Sequence, residues 1–148
     1  RASIMKKLII SAVFLMALQI SAYAQSGNII ITQQWARPIL VEGRPGGAYL
    51  HIQNIADIDD KLISASSSIS AKVEIHEHTM NDGVMKMGKV DFIKIPAHSE
   101  VQLKPGGYHI MLFNTKKKYA PGETIDLTLN FENAGTIEKT FEILAKQP

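Results

Sequence analysis

The stretch TIDLTLNF, residues 124–131, alternates apolar and polar side chains along its whole length. Successive side chains of an extended chain point to opposite sides, so the apolar members fall on one face. They are Ile125, Leu127, Leu129 and Phe131. The pattern predicts a strand with one buried face, and none of its residues suggests chemistry.

Eight further segments show short runs of the same kind and are predicted as strands. They are 29–35, 48–53, 61–65, 72–78, 84–92, 101–104, 108–113 and 137–144. Short turns rich in Gly, Pro and Asn separate most of them, and helical periodicity is hard to find. This spacing predicts an all-β fold, a sandwich or small barrel with Greek-key connections.

The first 24 residues have the composition of an export signal. Lys6 and Lys7 precede an apolar run, 8–22, that is too short for a comfortable bilayer span of about 20 residues. A small-x-small pattern at 22–24 then predicts cleavage after residue 24. We therefore expect an exported protein.

The predicted cleavage defines the rest of the chain. Residues 1–4 stand before the predicted initiator, Met5, and are grouped with the signal peptide, 1–24. The remaining residues, 25–148, are enough for one domain with its own core and too few for two of ordinary size. We predict a single domain there.

Charge and cysteine content exclude several functions. Removing Arg1, Lys6 and Lys7 from the 16 basic residues leaves 13 against 14 acidic ones, so the exported chain is close to neutral. Nucleic acid binding, or membrane binding after signal cleavage, is therefore not expected. The sequence has no cysteine, which excludes disulfides and lipid attachment at a cleavage-site cysteine.

Methionine and histidine cluster in one window. All methionines after residue 24 lie between positions 80 and 111, and every histidine except His51 lies in nearly the same range. The set is His76, His78, Met80, Met85, Met87, His98, His109 and Met111. Single histidines are often surface residues, and methionine often fills core gaps, but such residues should then be scattered.

Strand periodicity assigns faces to part of this set. Val73 and Ile75 are the natural core pair of one predicted strand. Period-two alternation then sends His76, His78 and Met80 to the opposite face.

A second strand repeats the arrangement. Ile110 and Leu112 are its natural core pair, so His109 and Met111 project together away from the core. In a third segment, Met85 and Met87 share one face. We expect these three strands to offer imidazoles and thioethers outward.

This donor set favours reduced copper. Thioether sulfur is a soft neutral ligand that suits Cu(I), and imidazole suits several transition metals. Zinc sites are built from Cys, His and carboxylate, so two thioethers would be unusual there. A site without thiolate also avoids disulfide exchange in an oxidising compartment. The composition therefore indicates a copper(I) protein outside the cytoplasm.

The spacing of four residues resembles a known family. His76, Met87, His109 and Met111 match the pattern H-x10-M-x21-H-x-M of the periplasmic copper chaperones called PCu(A)C. Surrounding segments are also similar to that family across the whole exported chain. They are WARP at 35–38, GGAYLHIQN at 46–54, DDKLISASS at 59–67, VEIHEH at 73–78, DGVMKM at 82–87 and LKPGGYHIML at 103–112.

The resemblance implies a fold, a cargo and a recipient. It implies a cupredoxin-like antiparallel Greek-key β-sandwich that binds one Cu(I) per chain through His76, Met87, His109 and Met111. It also implies a periplasmic chaperone, not an enzyme, that supplies the Cu(A) site of cytochrome c oxidase alongside thiol-bearing assembly factors.

Some residues fall outside the family pattern. His78, Met80 and Met85 have no place among the four ligands: they could form a second shell, a weak second site, or simply be exposed. The His- and Met-rich C-terminal tail of some relatives is absent, since the sequence ends in EILAKQP.

The residues also bear on other classes of function. A blue-copper electron carrier needs a Cys thiolate, and the sequence has no cysteine. An enzyme is possible in principle, but the sequence has no nucleophile–base motif such as G-x-S-x-G. A copper-sequestering protein without a dedicated recipient remains the main alternative. A structural or adhesive sandwich with an incidental Met/His face is a more distant one.

Overall fold

The structure is a computed structural model that describes residues 26–148. A 3-10 turn, Ser26–Asn28, precedes ten strands. These are β1 (Ile29–Ala36), β2 (Gly46–Asn54), β3 (Asp60–Ser66), β4 (Ser70–Asn81), β5 (Val84–Lys89), β6 (Ile93–Ile95), β7 (Glu100–Leu103), β8 (Tyr108–Thr115), β9 (Thr124–Phe131) and β10 (Gly135–Ile143). The predicted all-β class is confirmed, whereas the predicted signal peptide, 1–24, lies outside the described residues. No helix among the described residues is long and apolar enough to cross a bilayer.

The strands hydrogen-bond in the order β5-β4-β8-β2-β1-β10-β9-β3-β6, and β7 pairs with β2. The sheet curls so that β3 contacts β4, which closes it into a sandwich. All pairs are antiparallel except β1 with β10, where Trp35 aligns with Glu142 in parallel register. This pair joins the first and last strands, and the rest of the sheet is antiparallel as predicted.

The core contains the faces that alternation predicts. The apolar residues of β9 are at most 3% exposed, and Ile75, Ile110 and Leu112 are buried in the same cluster. Val73 packs against that cluster from the side. The inward faces of β4, β8 and β9 were therefore predicted correctly, and this fixes which side chains of β4 and β8 point away from the core.

The strand predicted at 84–92 is shorter in the structure than the sequence pattern indicated. β5 ends at Lys89, and the chain then crosses to β6, which pairs with β3 at the other end of the sheet. The reason is burial: β5 is exposed along its whole length, whereas Ile93 and Ile95 are no more than 1% exposed. One straight strand could not serve both environments.

A tight hairpin joins β4 to β5. Asp82 and Gly83 have φ angles of 50° and 77°, and Asn81 pairs with Val84 across the turn. Two consecutive positive φ angles are the hallmark of the type I′ turn, which Asp-Gly favours. The turn fixes the register of the two strands that carry Met80, Met85 and Met87.

Candidate metal centre

Strand pairing aligns the Met/His residues of β4, β5 and β8 in rows. His76 lies opposite His109 across the β4–β8 pair, and Glu74 lies opposite Met111. Across the β4–β5 pair, Met87 lies opposite His78. Side chains that are directly opposite share a face, with Cβ atoms about 4.5–5.5 Å apart. Residues scattered along the sequence are therefore neighbours on one face of the sandwich.

An open cavity of about 340 Å³ lies over this face. Three of the four predicted ligands line it, namely Met87, His109 and Met111, together with His78. The remaining lining residues are Arg37, Pro45, Gly46, Gly47, Tyr49, Pro105 and Gly106. His76 does not line the cavity; its ring centroid lies 5.8 Å from that of His109.

The two predicted histidine ligands are on the predicted face but are not exposed. His76 is 7% exposed and His109 is 2% exposed, so the expectation of outward imidazoles was wrong in this respect. Aromatic rings cover them: Phe113 lies 5.7 Å from the ring of His76, and Tyr49 lies 6.4 Å from that of His109. Met87, at 48%, is the exposed member of the set.

His109 presents a free ring nitrogen. Its Nδ1–H donates to the carbonyl oxygen of Gly107 at 3.2 Å, since a carbonyl can only accept. Its Nε2 is buried and has no hydrogen-bond partner. Burial lowers the pKa of His109, against the raising effect of the Gly107 hydrogen bond; His78 and His76 nearby lower it further. The neutral imidazole therefore keeps a lone pair on a buried Nε2.

His76 is oriented by a carboxylate. Its Nε2 lies 2.8 Å from Oε2 of Glu74, whose other oxygen lies 3.1 Å from the Lys72 ammonium. The hydrogen bond from His76, and then that from Lys72, lowers the pKa of Glu74, so the carboxylate is ionised and accepts. In the neutral imidazole this leaves the lone pair on Nδ1, which is buried and has no partner.

His78 belongs to the same cluster, although it has no place in the four-residue pattern. Its ring stacks on that of His109, with centroids 4.9 Å apart and planes at 24°. Its Nδ1 is likewise buried without a hydrogen-bond partner. Three imidazoles on one face thus each carry an unsatisfied nitrogen, which is rare in folded proteins. Within residues 26–148, however, no group of three or more His, Cys, Asp or Glu side chains is arranged to hold a metal.

Sequence reasoning assigned no role to the residues that roof the cavity. Tyr49 lies against Trp35, with ring centroids 4.7 Å apart, and the Arg37 guanidinium lies 5.9 Å from the Tyr49 ring. A Cβ atom at Gly47 would lie 2.8 Å from the Tyr49 hydroxyl oxygen. Glycine inside a strand often marks such a close approach, so the segment GGAYL carried a usable signal.

Comparison with known proteins identifies the family. A family model described as "Putative lipoprotein LpqE-like" matches residues 29–143. A solved structure titled "Copper-bound PCuAC domain from PmoF2" is 30% identical, with a TM-score of 0.68, and the match covers 81% of this chain and 95% of that one. The chain belongs to the PCu(A)C family. The cupredoxin-like fold that the resemblance implied is thereby confirmed.

A further solved structure and two curated relatives are also similar to this chain. The "Solution structure of CuI-DR1885 from Deinococcus Radiodurans" is 26% identical, has a TM-score of 0.59, and covers 85% of this chain and 86% of its own. "Uncharacterized protein RP573" of Rickettsia prowazekii (strain Madrid E) is 33% identical over 105 residues, 68% of this chain. "Putative lipoprotein Lxx21020" of Leifsonia xyli subsp. xyli is 28% identical over 114 residues, 76% of this chain. The matches span only 58% and 67% of these two curated relatives.

Proposed function

We propose that this protein is a periplasmic copper chaperone that binds one Cu(I) through His76, Met87, His109 and Met111. The observation that carries the proposal is the buried, partnerless Nε2 of His109, a residue that lines one cavity together with Met87 and Met111. Copper is named in the titles of two similar structures, the PmoF2 domain and CuI-DR1885.

The donor atoms suit a soft monovalent ion. Two thioethers and two neutral imidazoles bring no formal charge into a partly buried site, and both donor types suit Cu(I). His109 would bind through Nε2 and His76 through Nδ1, the nitrogens that Gly107 and Glu74 leave free. Carboxylate and carbonyl partners of this kind fix the tautomer of metal-binding histidines.

Release is favoured by unequal exposure of the ligands. The imidazoles are buried, whereas Met87 is 48% exposed and Met111 is partly exposed. Ligands of a partner could replace the thioethers first, while the histidines still hold the ion. We infer the recipient from the family resemblance: the Cu(A) site of cytochrome c oxidase, alongside thiol-bearing assembly factors.

The names of similar proteins indicate export, which fits a periplasmic chaperone. The family model and the Leifsonia relative are both named as putative lipoproteins, a class of exported protein. The sequence has no cysteine, so it offers no acceptor for lipid attachment within its 148 residues. We propose that the predicted signal peptide, 1–24, instead directs it to the periplasm.

Titration of the purified protein with Cu(I), in competition with a chromophoric chelator, tests the copper site. We expect one tight equivalent in the wild type and its loss in Met87→Leu and in Met111→Leu. Met85→Leu is the matched control, because Met85 lies in the same strand, does not line the cavity, and should leave the tight equivalent intact. Equal affinities in all three variants would contradict the ligand assignment.

Transfer kinetics separate a chaperone from a copper-sequestering protein. Copper-loaded protein is mixed with the soluble Cu(A) domain of the host oxidase, and metal transfer is followed spectroscopically. Transfer to the Cu(A) domain much faster than spontaneous copper release supports delivery. Equal rates would indicate a protein that sequesters copper and has no dedicated recipient.

A further inference from the structure

Two exposed methionines lie outside the four-ligand set at the tip of the β4–β5 hairpin. Met80 and Met85 pair directly across the two strands. They are 62% and 55% exposed, so they contribute little to the core. We call Met80 and Met85 the hairpin pair. Large apolar side chains gain little from exposure at a strand edge. The direct pairing of two exposed methionines across β4 and β5 therefore suggests a role other than packing.

The hairpin fixes the position of this pair. The Asp82-Gly83 turn and the Asn81–Val84 pairing follow directly after the row that contains Met80 and Met85. Side chains in such a row have Cβ atoms about 4.5–5.5 Å apart. Methionine is flexible enough for two sulfur atoms to approach one small ion from these positions.

His78 connects the hairpin pair to the proposed copper site. It precedes Met80 by two residues on the same face of β4 and lies opposite Met87. Its ring also stacks on His109 at 4.9 Å, and its buried Nδ1 has no hydrogen-bond partner. His78, which carries a nitrogen without a partner, therefore shares a row with Met87 and lies in the row next to the hairpin pair on this face.

We propose that Met80, Met85 and His78 form a second, weaker Cu(I) site through which copper reaches or leaves the main one. The inference rests on the proposed function, because a relay has a purpose only beside a copper site. The three donors are neutral and soft, as Cu(I) prefers. High exposure lets the hairpin pair meet a copper donor in solution, and ligand exchange through His78 moves the ion to the neighbourhood of Met87 and His109.

Methyl resonances of ¹³C-labelled methionine report the two sites separately. The purified protein is titrated without oxygen with Cu(I) to two equivalents. We expect the first equivalent to shift the methyl signals of Met87 and Met111, and the second to shift those of Met80 and Met85. Met111→Leu should lose the first set of shifts and keep the second. Met80→Leu/Met85→Leu should bind a single equivalent and load from a Cu(I)–chelator donor severalfold more slowly than the wild type.

Two variants provide controls for this experiment. Val84→Ala changes another exposed apolar side chain of the hairpin, 57% exposed, and should bind both equivalents with wild-type kinetics. His78→Gln should weaken the second equivalent, and an unchanged second equivalent would remove the imidazole from the site.

The outcomes separate this inference from the proposed function. If the Met87 and Met111 signals shift and those of Met80 and Met85 do not, the second site is overturned and the copper carrier stands. If all four signals shift together with the first equivalent, a separate second site is also overturned. If none of the four shifts, both the proposed function and the second site are overturned.

Discussion

The Nε2 atom of His76 lies 2.8 Å from a carboxylate oxygen of Glu74, on the same face of the same strand. The carboxylate is also held by the Lys72 ammonium at 3.1 Å, and both contacts lower its pKa. An ionised, fixed acceptor selects the tautomer of His76 that leaves Nδ1 free. Glu74 therefore acts as a positioning residue for the proposed copper site without touching the metal.

Replacing Glu74 with Gln should weaken copper binding without unfolding the protein. The amide keeps the size of the side chain but loses the charge that orients His76. Loss of such an outer partner typically lowers metal affinity about 10–100-fold. Competition titration with Cu(I) measures the change.

Glu77→Gln is the matched control for this substitution. Glu77 is three residues along the same strand, but its alternation places it on the other face, beside Tyr108. We expect its copper affinity to equal that of the wild type. An equal loss in both variants would show a general effect of charge and would contradict the positioning role of Glu74.

The metal-free protein should lose stability as the pH falls below neutrality, because of His109. Burial lowers the pKa of His109 below the ordinary value of 6.5, so the unfolded chain binds this proton more readily than the folded one. The contribution of the neutral imidazole is complete above pH 6.5 and is lost as the pH falls through 6.5 toward the folded-state value. A single group gives a slope of at most about 1.4 kcal/mol per pH unit.

Urea unfolding of the wild type and of His109→Gln, at pH 7.5 and at pH 5.5, measures this dependence. Gln does not titrate, so the variant should show a smaller loss of unfolding free energy over this range. The difference between the two proteins isolates His109 from the other histidines of the chain, which both proteins share. Identical pH dependence in both would show that His109 does not titrate differently in the folded and unfolded states.

Alternation predicted faces well because it depends only on neighbouring residues. Ile75, Ile110 and Leu112 are buried as their spacing predicts, and the Asp82-Gly83 turn has the φ angles that its residues favour. Strand 124–131 was placed without error for the same reason. Local patterns were therefore sufficient for most of the sheet and for the face that carries the site.

Features that depend on distant residues were missed. The burial of His76 and His109 depends on Tyr49 and Phe113, whose rings cover the face, and no local pattern shows what covers a strand. The parallel pairing of β1 with β10 likewise joins the two ends of the described chain. His78 was not assigned to the site because its role depends on stacking against another strand.

Gly47→Ala should disturb the roof of the proposed copper site. Its Cβ would lie 2.8 Å from the Tyr49 hydroxyl oxygen and 3.3 Å from the attached ring carbon, so the ring must move. Tyr49 is confined by Trp35 at 4.7 Å, and overpacking of this kind costs about 1–3 kcal/mol. We expect a lower urea midpoint, weaker copper binding, and altered fluorescence of Trp35, the single tryptophan of the chain.

Gly88→Ala is the control for this glycine. No atom lies within 4 Å of the Cβ it would add, and its backbone has no positive φ angle. Its stability should stay within about 0.5 kcal/mol of the wild type, as is usual for surface positions. If Gly47→Ala bound copper as tightly as Gly88→Ala, the position of Tyr49 would not matter for the site.

Asp60→Asn should destabilise the fold and leave the proposed copper site intact. The Asp60 carboxylate is 4% exposed and accepts backbone hydrogen bonds from Lys61, Asn133 and Ala134 at 2.7–3.0 Å. It thus ties the start of β3 to the β9–β10 turn. An amide has one accepting oxygen, so at least one buried N–H loses its partner, at a cost of about 1.5–3 kcal/mol.

Urea unfolding with and without Cu(I) measures the free energy of unfolding of Asp60→Asn and tests whether the substitution destabilises the fold. Asp57→Asn serves as the control, since that carboxylate is 95% exposed and should change stability by less than about 0.5 kcal/mol. The copper affinity of Asp60→Asn, measured where the protein is folded, should match that of the wild type, because Asp60 does not line the cavity of the proposed copper site. If Asp60→Asn were as stable as Asp57→Asn, water or a relaxed backbone would be satisfying the N–H groups around residue 60. The link between β3 and the β9–β10 turn would then not depend on the charge of Asp60.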